Sequence, residues 1–244
     1  MKLLETEVRV PAPDCDIRAS MITPVREGPW PGMLLYTDIF QRTESTLRTA
    51  RRLASAGFVV CVPEIYPRGA LAGVALEFDD AGKQSGLAGA ASTTTAQFDS
   101  DRTAVLDFLR ARADVDTLVT VGFCIGGHLA FRAAFDQRIA ATVCCYPTGL
   151  HNGALGADRD AESLASAHLI QGRLMIVFGS SDPHVPAEAR VQIISALYAA
   201  GLDDLELHLY RGGEHAFMRD VGARYDPVLT DLAITEALSF LTAR

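Results

Sequence analysis

Short, continuous apolar runs recur along the chain, each bounded by glycine, proline or charged residues. Such runs are typical of strands that are buried on both faces of a parallel sheet. They cover residues 33–36, 58–62, 118–121, 139–146, 174–179 and 205–210. Residues 3–10 and 16–23 alternate between apolar and polar positions on either side of Pro11–Asp14, which predicts an antiparallel hairpin at one edge of the sheet. Residues 28–32 are predicted to form a turn ahead of the first buried strand.

Helical patterns separate these runs. Thr43 can cap a helix that runs to about Gly57, and Asp226 with Pro227 can open a C-terminal helix. Other helices are predicted at about 97–113, 128–135 and 187–200, with a short one at 161–167. Residues 69–96 are rich in Gly, Ala, Ser and Thr, and we expect an irregular segment that edges the active site as a partial lid.

The alternation of strands and helices predicts an α/β fold. Its central sheet is expected to be mainly parallel, with helices on both faces. Right-handed crossovers bring the loops that follow the strands to one sheet edge. The 244 residues are expected to form one domain, 1–244.

Charge and composition narrow the function classes. A formal net charge of −8 argues against nucleic acid as a main partner, and no apolar run is long enough to span a membrane. The first residues lack the apolar core of a signal peptide. The five cysteines, with Cys144 and Cys145 adjacent, do not resemble a disulfide framework, so reduced thiols in a cytoplasmic protein are expected. No Cys/His spacing indicates a metal site, and we expect no metal or cofactor.

A cysteine lies within a glycine frame between a strand and a helix. The sequence Gly122-Phe123-Cys124-Ile125-Gly126 matches the nucleophile elbow Gly-x-Ser-x-Gly, with a thiol in place of the serine hydroxyl. The helix start after Cys124 favours a thiolate. The alternative is that Cys124 is a small buried core residue.

Two further residues follow later strands in the order that the elbow requires. Asp182 and then His215 complete the order nucleophile, acid, base. Imidazole can exchange a proton near neutral pH, and a carboxylate can orient it. His184, two residues after Asp182, competes with His215 for the role of base, and Asp182 could instead cap a helix. The remaining histidines have structural interpretations: His128 packs in the helix after the elbow, His208 is exposed on a strand, and His151 and His168 lie on the surface.

These motifs resemble the dienelactone hydrolase family of α/β-hydrolases over nearly the whole chain. The resemblance depends on residues 122–131, on Asp182-Pro183-His184-Val185-Pro186 and on residues 214–219, and Pro63–Tyr66 is also similar. It implies the α/β-hydrolase fold and hydrolysis of a lactone or activated ester through a thioester intermediate. The oxyanion hole would be formed by the backbone N–H groups of Ile39 and Ile125.

The resemblance also implies roles for residues around the triad. Asp38 stands where the family carries a glutamate that switches the cysteine between thiol and thiolate, and Gln41 replaces a glycine of the same segment. Arg219 matches an arginine that binds the substrate carboxylate, and Tyr146 is expected to bind substrate as well. For Asp38 the alternative is a loop or capping carboxylate, and for Arg219 a surface ion pair near Asp220. A second substrate-binding arginine is not evident, and Arg68 or Lys83 could replace it.

We therefore expect a cysteine hydrolase of a small lactone or ester, acting as a monomer or small homo-oligomer. A broad carboxylesterase with the same triad is the second hypothesis. A non-catalytic binding protein and a thiol sensor are the alternatives outside ester hydrolysis.

Overall fold

The computed structural model describes residues 1–243, whose eight strands form one sheet. The strands are β1 (Leu3–Ala12), β2 (Cys15–Pro24), β3 (Trp30–Tyr36), β4 (Val59–Pro63), β5 (Val115–Phe123), β6 (Ile139–Cys145), β7 (Arg173–Gly179) and β8 (Leu205–Tyr210). The α-helices are α1 (Glu44–Ser55), α2 (Asp80–Ala91), α3 (Thr95–Arg110), α4 (Ile125–Ala133), α5 (Ala187–Ala199) and α6 (Pro227–Thr242). Within residues 1–243, no helix combines the length and the apolarity needed to cross a bilayer.

The sheet order is β1-β2-β4-β3-β5-β6-β7-β8. Strands β1 and β2 pair antiparallel from Leu3 opposite Pro24 to Ala12 opposite Cys15, which confirms the predicted hairpin. Strand β2 is also antiparallel to β4, and all later pairings are parallel. The predicted α/β fold with a mainly parallel sheet is therefore confirmed, and β5 lies inside the sheet between β3 and β6. That the chain is a single domain stays a prediction.

Two apolar layers cover the sheet. On β3, Leu34 contributes to one layer, whereas its neighbours Met33 and Leu35 contribute to the other. Helices α3, α4 and α5 pack on the Leu34 side, and α1 and α6 pack on the opposite side. Because both faces of the central strands are covered, these strands appear in the sequence as continuous apolar runs.

Capping side chains set where the helices begin. The Thr43 hydroxyl accepts from the Thr46 N–H at α1, and the Asp226 carboxylate accepts from two N–H groups at the start of α6, as predicted. Helix α3 begins at Thr95, two residues before the predicted start. Thr94 and Gln97 form a capping box there, which satisfies two N–H groups of the first turn.

Three predicted elements were wrong. The segment 69–96 is not irregular throughout, because it contains helix α2, which Asp79 caps. Residues 30–32 belong to β3 and not to a turn. The predicted helix at 161–167 is absent, and a short 3₁₀ turn at Ala167–Leu169 follows instead.

Glycines explain both why α2 lacks a helical apolar pattern and how it packs. A Cβ atom added at Gly86 would lie 2.5 Å from the carbonyl oxygen of Ile39, and one at Gly89 would lie 2.9 Å from the Tyr66 ring. The backbone of α2 therefore rests directly on the loop after β3. Phe78, Lys83, Leu87 and Ala90 of this segment line the cavity that Cys124 also lines, and the role of the segment as a partial lid stays a prediction.

Candidate active site

Cys124 lies in the sharp turn between β5 and α4. Its backbone has φ 60° and ψ −121°, a conformation that L residues rarely adopt. A Cβ atom at Gly122 would overlap the carbonyl oxygen of Gly126, and one at Gly126 would overlap that of Thr37. Only glycine fits at both positions, so the predicted elbow is confirmed as a structural element.

The elbow opens into a cavity of about 500 Å³ at the strand-end edge of the sheet. Cys124 is 9% exposed, which is enough for its sulfur to reach this space. The wall combines strand-end loops, helix α2 and the start of α4. It is lined by Asp38, Ile39, Phe40, Phe78, Asp79, Asp80, Lys83, Leu87, Ala90, Cys124, Ile125, Thr148, Gly149, Ala154, His184, His215, Ala216, Arg219 and Arg224.

His215 and Asp182 meet at this edge from the loops after β8 and β7. Nδ1 of His215 donates to Oδ2 of Asp182 at 2.8 Å, and both side chains are buried. The other carboxylate oxygen accepts from the N–H groups of His184 at 2.7 Å and Val185 at 3.3 Å. Asp182 therefore organises its own loop and orients His215. It does not cap α5, whose N-cap residue is Pro186.

The pKa of His215 is raised from its ordinary 6.5 to about 9. Burial alone would lower this pKa. The negative charge of a Cys124 thiolate, the Asp182 carboxylate and hydrogen bonds to both residues outweigh the burial. These interactions favour the imidazolium form of His215.

His184, the competing histidine, has a different position. Its ring lies on the cavity wall, edge-on to His215 with 4.6 Å between ring centroids. Its backbone bonds to Asp182, while its imidazole does not. Burial, and then the charge of His215, lower the pKa of His184. The geometry favours His215 as the partner of Asp182.

The other histidines lie away from the cavity wall. His128 is fully buried in α4, as predicted, and His168 is exposed. His208 was expected to be exposed, but it is half-buried and lies 3.2 Å from Glu206.

Two backbone N–H groups lie where the oxyanion hole is expected. Ile125 is the first residue of α4, and Ile39 follows β3; both line the cavity. Within residues 1–243, neither N–H group donates to a protein acceptor. A helix N-terminus carries a partial positive charge, so this corner of the cavity suits a developing oxyanion.

Asp38 is buried at the rim of the same corner. Its Oδ1 accepts from the Phe40 N–H at 2.9 Å, and its Oδ2 lies 3.4 Å from Nη1 of Arg219. Burial raises the pKa of Asp38, and the Arg219 charge and the Phe40 N–H oppose that rise. The hydrogen bond that Asp38 accepts from the Phe40 N–H fits the alternative of a loop carboxylate. The burial of Asp38 beside Arg219 distinguishes it from a capping residue on the surface.

Arg219 packs over two adjacent aromatic rings on the cavity wall. Its guanidinium carbon lies 5.1 Å from the Phe40 ring centroid and 4.6 Å from that of Phe78. The surface ion pair near Asp220 does not form, because Asp220 pairs with Arg48 at 2.5 Å. Among residues 1–243, the buried Nε of Arg219 has no hydrogen-bond partner. The side chain is partly exposed on the cavity wall, so Arg219 can receive an anionic group from the cavity.

Lys83, and not Arg68, lies on the cavity wall with Arg219, and Arg224 on the same wall lies 3.6 Å from Glu214. Lys83 lies on α2 and lines the cavity. Arg68 bonds instead to Asp14 at 2.5 Å and to Asp101 at 2.8 Å, outside the cavity. Asp14, Cys15 and Asp101 are the one group of potential metal ligands in residues 1–243, but Arg68 already occupies both carboxylates.

Tyr146 does not lie on the wall of the large cavity. Its ring packs behind the imidazole of His215, with 5.2 Å between centroids, and also against Phe217 at 5.7 Å. Its backbone φ is 39°, and the side chain is 2% exposed. In this position the ring supports His215, and Tyr146 lines a smaller cavity beside Asp38 and Arg219, so substrate binding by Tyr146 stays a prediction.

The sequence analysis missed Thr148 and the contacts of Gln41, both of which shape the site. Thr148 lies beside the nucleophile, with its Oγ1 3.8 Å from the Cys124 sulfur. The rule that strand-end loops meet at one edge could have found it, since it follows β6. Gln41 has φ 65°, and its side chain bonds to the backbones of Tyr66, Leu71 and Val74. It therefore ties the loop after β3 to the loop after β4, and no short-range pattern indicates this contact.

Known proteins are similar to this chain in sequence and in fold. The sequence model of the dienelactone hydrolase family matches residues 17–244. A Saccharomyces cerevisiae protein named "Putative carboxymethylenebutenolidase" is 32% identical over 208 residues, which are 82% of this chain and 76% of the yeast protein. The crystal structure of a "Putative Dienelactone Hydrolase" from Klebsiella pneumoniae superposes with a TM-score of 0.87 and 22% identity over 100% of both chains. A dienelactone hydrolase-like promiscuous phosphotriesterase from metagenomic libraries superposes with a TM-score of 0.80 and 21% identity, over 98% of this chain and 97% of that one. At 22% and 21% identity, the two structures support the fold assignment alone.

Proposed function

The chain belongs to the dienelactone hydrolase family and is a carboxylic ester hydrolase, and we propose that it cleaves a small lactone or ester through a Cys124-His215-Asp182 triad. One observation carries the proposal. The strained elbow directs Cys124 into the same cavity that His215 enters, and Asp182 holds that imidazole at 2.8 Å. A nucleophile, a base and an orienting acid are the groups that acyl transfer requires.

The proposed reaction has two steps. The Cys124 thiolate attacks the carbonyl carbon, a C–S bond forms, and the N–H groups of Ile39 and Ile125 bind the oxyanion. The C–O bond then breaks as the His215 imidazolium gives its proton to the leaving oxygen, which leaves a thioester on the sulfur. In the second step neutral His215 takes a proton from water, the hydroxide attacks the thioester, and the thiolate leaves. Asp182 stabilises the imidazolium whenever it forms.

The cavity supports a preference for substrates with an anionic group. Lys83 and Arg219 lie on its wall, and the Arg219 guanidinium packs over the adjacent rings of Phe40 and Phe78. A planar guanidinium suits bidentate recognition of a carboxylate. The apolar part of the wall, which includes Leu87, fits the carbon skeleton.

Asp38 would then serve as a switch for the thiol. A substrate carboxylate that binds Arg219 competes with Asp38 for the same cation. We propose that the released Asp38, whose pKa burial raises, takes the proton from Cys124 in those molecules in which it is still a thiol, so that substrate binding completes the thiolate population.

Hydrolysis of an activated aryl acetate by the wild type, Cys124→Ala and Cys145→Ala tests the nucleophile. Cys145 is a buried thiol on β6, so its replacement is the matched control. We expect activity to be lost only in Cys124→Ala; activity that survives there would overturn the triad. If the wild type does not cleave the acetate, a lactone panel comes next, and failure on both would leave a binding protein or a peroxide-sensitive thiol sensor.

Substrate preference separates the lactonase from the broad carboxylesterase. A lactone with a carboxylate and its methyl ester are compared in the wild type, Arg219→Met and Lys83→Met. The proposal expects the two variants to raise KM for the charged lactone and to leave the neutral ester unchanged. Equal turnover of both substrates by the wild type would assign a broad carboxylesterase instead.

A further inference from the structure

A buried hydrogen-bond chain lies behind the nucleophile. His128, one turn into α4, is fully buried. Its Nδ1 lies 3.1 Å from the carbonyl oxygen of Thr148, and its Nε2 lies 2.7 Å from Oγ of Ser163. Burial lowers the pKa of His128 to about 3, so the ring is neutral and carries one hydrogen. None of these groups takes part in the proposed reaction as described so far.

The partners of His128 determine which nitrogen carries that hydrogen. A carbonyl oxygen only accepts, so Nδ1–H donates to Thr148, and Nε2 accepts from the Ser163 hydroxyl. The oxygen of Ser163 in turn accepts from Nη1 of Arg132 at 3.0 Å. Arg132 is itself fixed by Asp99 and by the carbonyl oxygen of Ala161. Every member of the chain therefore has a defined direction.

The hydrogen-bond chain through His128 holds the backbone of Thr148 from one side, and the elbow holds it from the other. The Thr148 N–H donates to the carbonyl oxygen of Cys124 at 3.2 Å, while its own carbonyl accepts from His128. Gly149, which follows, has φ 73°, a left-handed conformation in which a side chain would be strained. The side chain of Thr148 is thereby directed at the nucleophile, with Oγ1 3.8 Å from Sγ of Cys124.

We propose that Thr148 is a catalytic residue whose hydroxyl donates a hydrogen bond to the Cys124 thiolate, and that His128 is the positioning residue that aims it. The proposal rests on Cys124 being the nucleophile. A thiolate can only accept, so the hydroxyl must be the donor in the charged state. The bond stabilises the thiolate more than the thiol, and no proton is transferred through Thr148.

Other groups near the sulfur do not replace this donor. His215 supplies the opposite charge, and Asp38 is engaged by Arg219. Burial raises the pKa of Tyr66 and Tyr146, so both phenols keep their hydrogens, but among residues 1–243 neither phenol lies within hydrogen-bond distance of Sγ of Cys124, whereas Thr148 does. Thr148 is the aliphatic hydroxyl that contacts the sulfur.

The test measures the ionisation of Cys124 without a substrate. Alkylation by iodoacetamide is followed against pH in the wild type, Thr148→Val and Thr148→Ser, and peptide mass spectrometry locates the adduct. A hydrogen bond to a charged group of this kind is expected to raise the midpoint in Thr148→Val by about 1 pH unit, with about tenfold slower alkylation below it. Thr148→Ser keeps the hydroxyl and should retain the wild-type midpoint. An unchanged midpoint in Thr148→Val, or equal midpoints in the two variants, would overturn the catalytic role.

The role of His128 is tested in the same assay. We expect His128→Phe to raise the midpoint, and His128→Phe with Thr148→Val to raise it no further than Thr148→Val alone. Ser163→Ala, which removes only the Nε2 partner, gives a second measurement if His128→Phe does not fold. Additive shifts, or no shift in the variants of His128 and Ser163, would refute positioning. Esterase activity that survives in Cys124→Ala would defeat the proposed function instead, and the alkylation result would remain readable.

Discussion

Replacing Cys124 with alanine should lower the pKa of the neighbouring His215. The difference between the ordinary 6.5 and about 9 in the wild type corresponds to about 3 kcal/mol in favour of the imidazolium, at 1.36 kcal/mol per pH unit. Burial works against the imidazolium, so the charge of Cys124 and the bond to Asp182 must supply more than this amount. An opposite charge in close contact typically raises a histidine pKa by 1–3 units. We therefore expect the pKa of His215 in Cys124→Ala to fall by about 2 pH units.

Nitrogen-15 NMR of labelled imidazoles measures this directly. The wild type and Cys124→Ala are titrated from about pH 5 to 10, and the His215 signals are identified by their loss in His215→Asn. Cys145→Ala is the control, because burial raises the pKa of this thiol and it carries no charge in the same range. The control should leave the His215 titration unchanged.

Two results would refute the reasoning. If His215 still titrates near pH 9 in Cys124→Ala, the Asp182 carboxylate alone raises its pKa, and the thiolate–imidazolium pair is not the cause. If His215 titrates near 6.5 in the wild type, the pair does not form in the resting protein.

Three further outcomes follow from the same geometry. In a pH–rate profile of the wild type, kcat/KM should fall as the pH rises through about 9, because His215 then loses the proton that the leaving oxygen needs. Asp182→Asn should move that fall to lower pH. Gly126→Ala should lower kcat by about 10²-fold and the free energy of unfolding in urea by about 1–3 kcal/mol. The reason is that the added Cβ would displace the end of β3 that leads to Ile39. An unchanged kcat would show that the loop tolerates this shift. Gln41→Ala and Gln41→Gly both lose the hydrogen bonds to the loop after β4, but only alanine keeps a Cβ at φ 65°. Gln41→Ala should therefore be less stable than Gln41→Gly by about 1 kcal/mol in urea unfolding. Equal stability of the two variants would contradict this reasoning.

The elbow could be predicted from sequence because its requirements are local. A buried strand, two glycines and a helix start occur within about a dozen residues, and steric overlap at Gly122 and Gly126 excludes other residues. Asp182 and His215 could be predicted to lie near Cys124 because parallel strands all end at one edge. Their contact at 2.8 Å, in preference to a contact through His184, depends on loop geometry that spacing does not encode.

The cavity wall was harder to predict because its contacts join distant segments. Helix α2 has glycines on its buried side, so it lacks the apolar stripe that identifies other helices. Arg68 and Lys83 are equivalent as sequence positions. Only the structure shows that Arg68 is engaged by Asp14 and Asp101, while Lys83 faces the cavity. Tyr146 was placed at the correct sheet edge, but its packing against His215 and Phe217 joins distant segments that sequence spacing does not connect.

The glycines of α2 also bear on how this wall folds. Each glycine in a helix interior costs about 1 kcal/mol relative to alanine, so Gly82, Gly86 and Gly89 together reduce the intrinsic stability of α2 by about 3 kcal/mol. A helix of 12 residues with this deficit is not stable by itself in water, and it is ordered only while it rests on the loop that carries Ile39. In hydrogen exchange we expect α2 and this loop to open together, well before the central strands. The folding of α2, which forms the wall that contacts the substrate, and the assembly of the oxyanion site at Ile39 would then be one cooperative event.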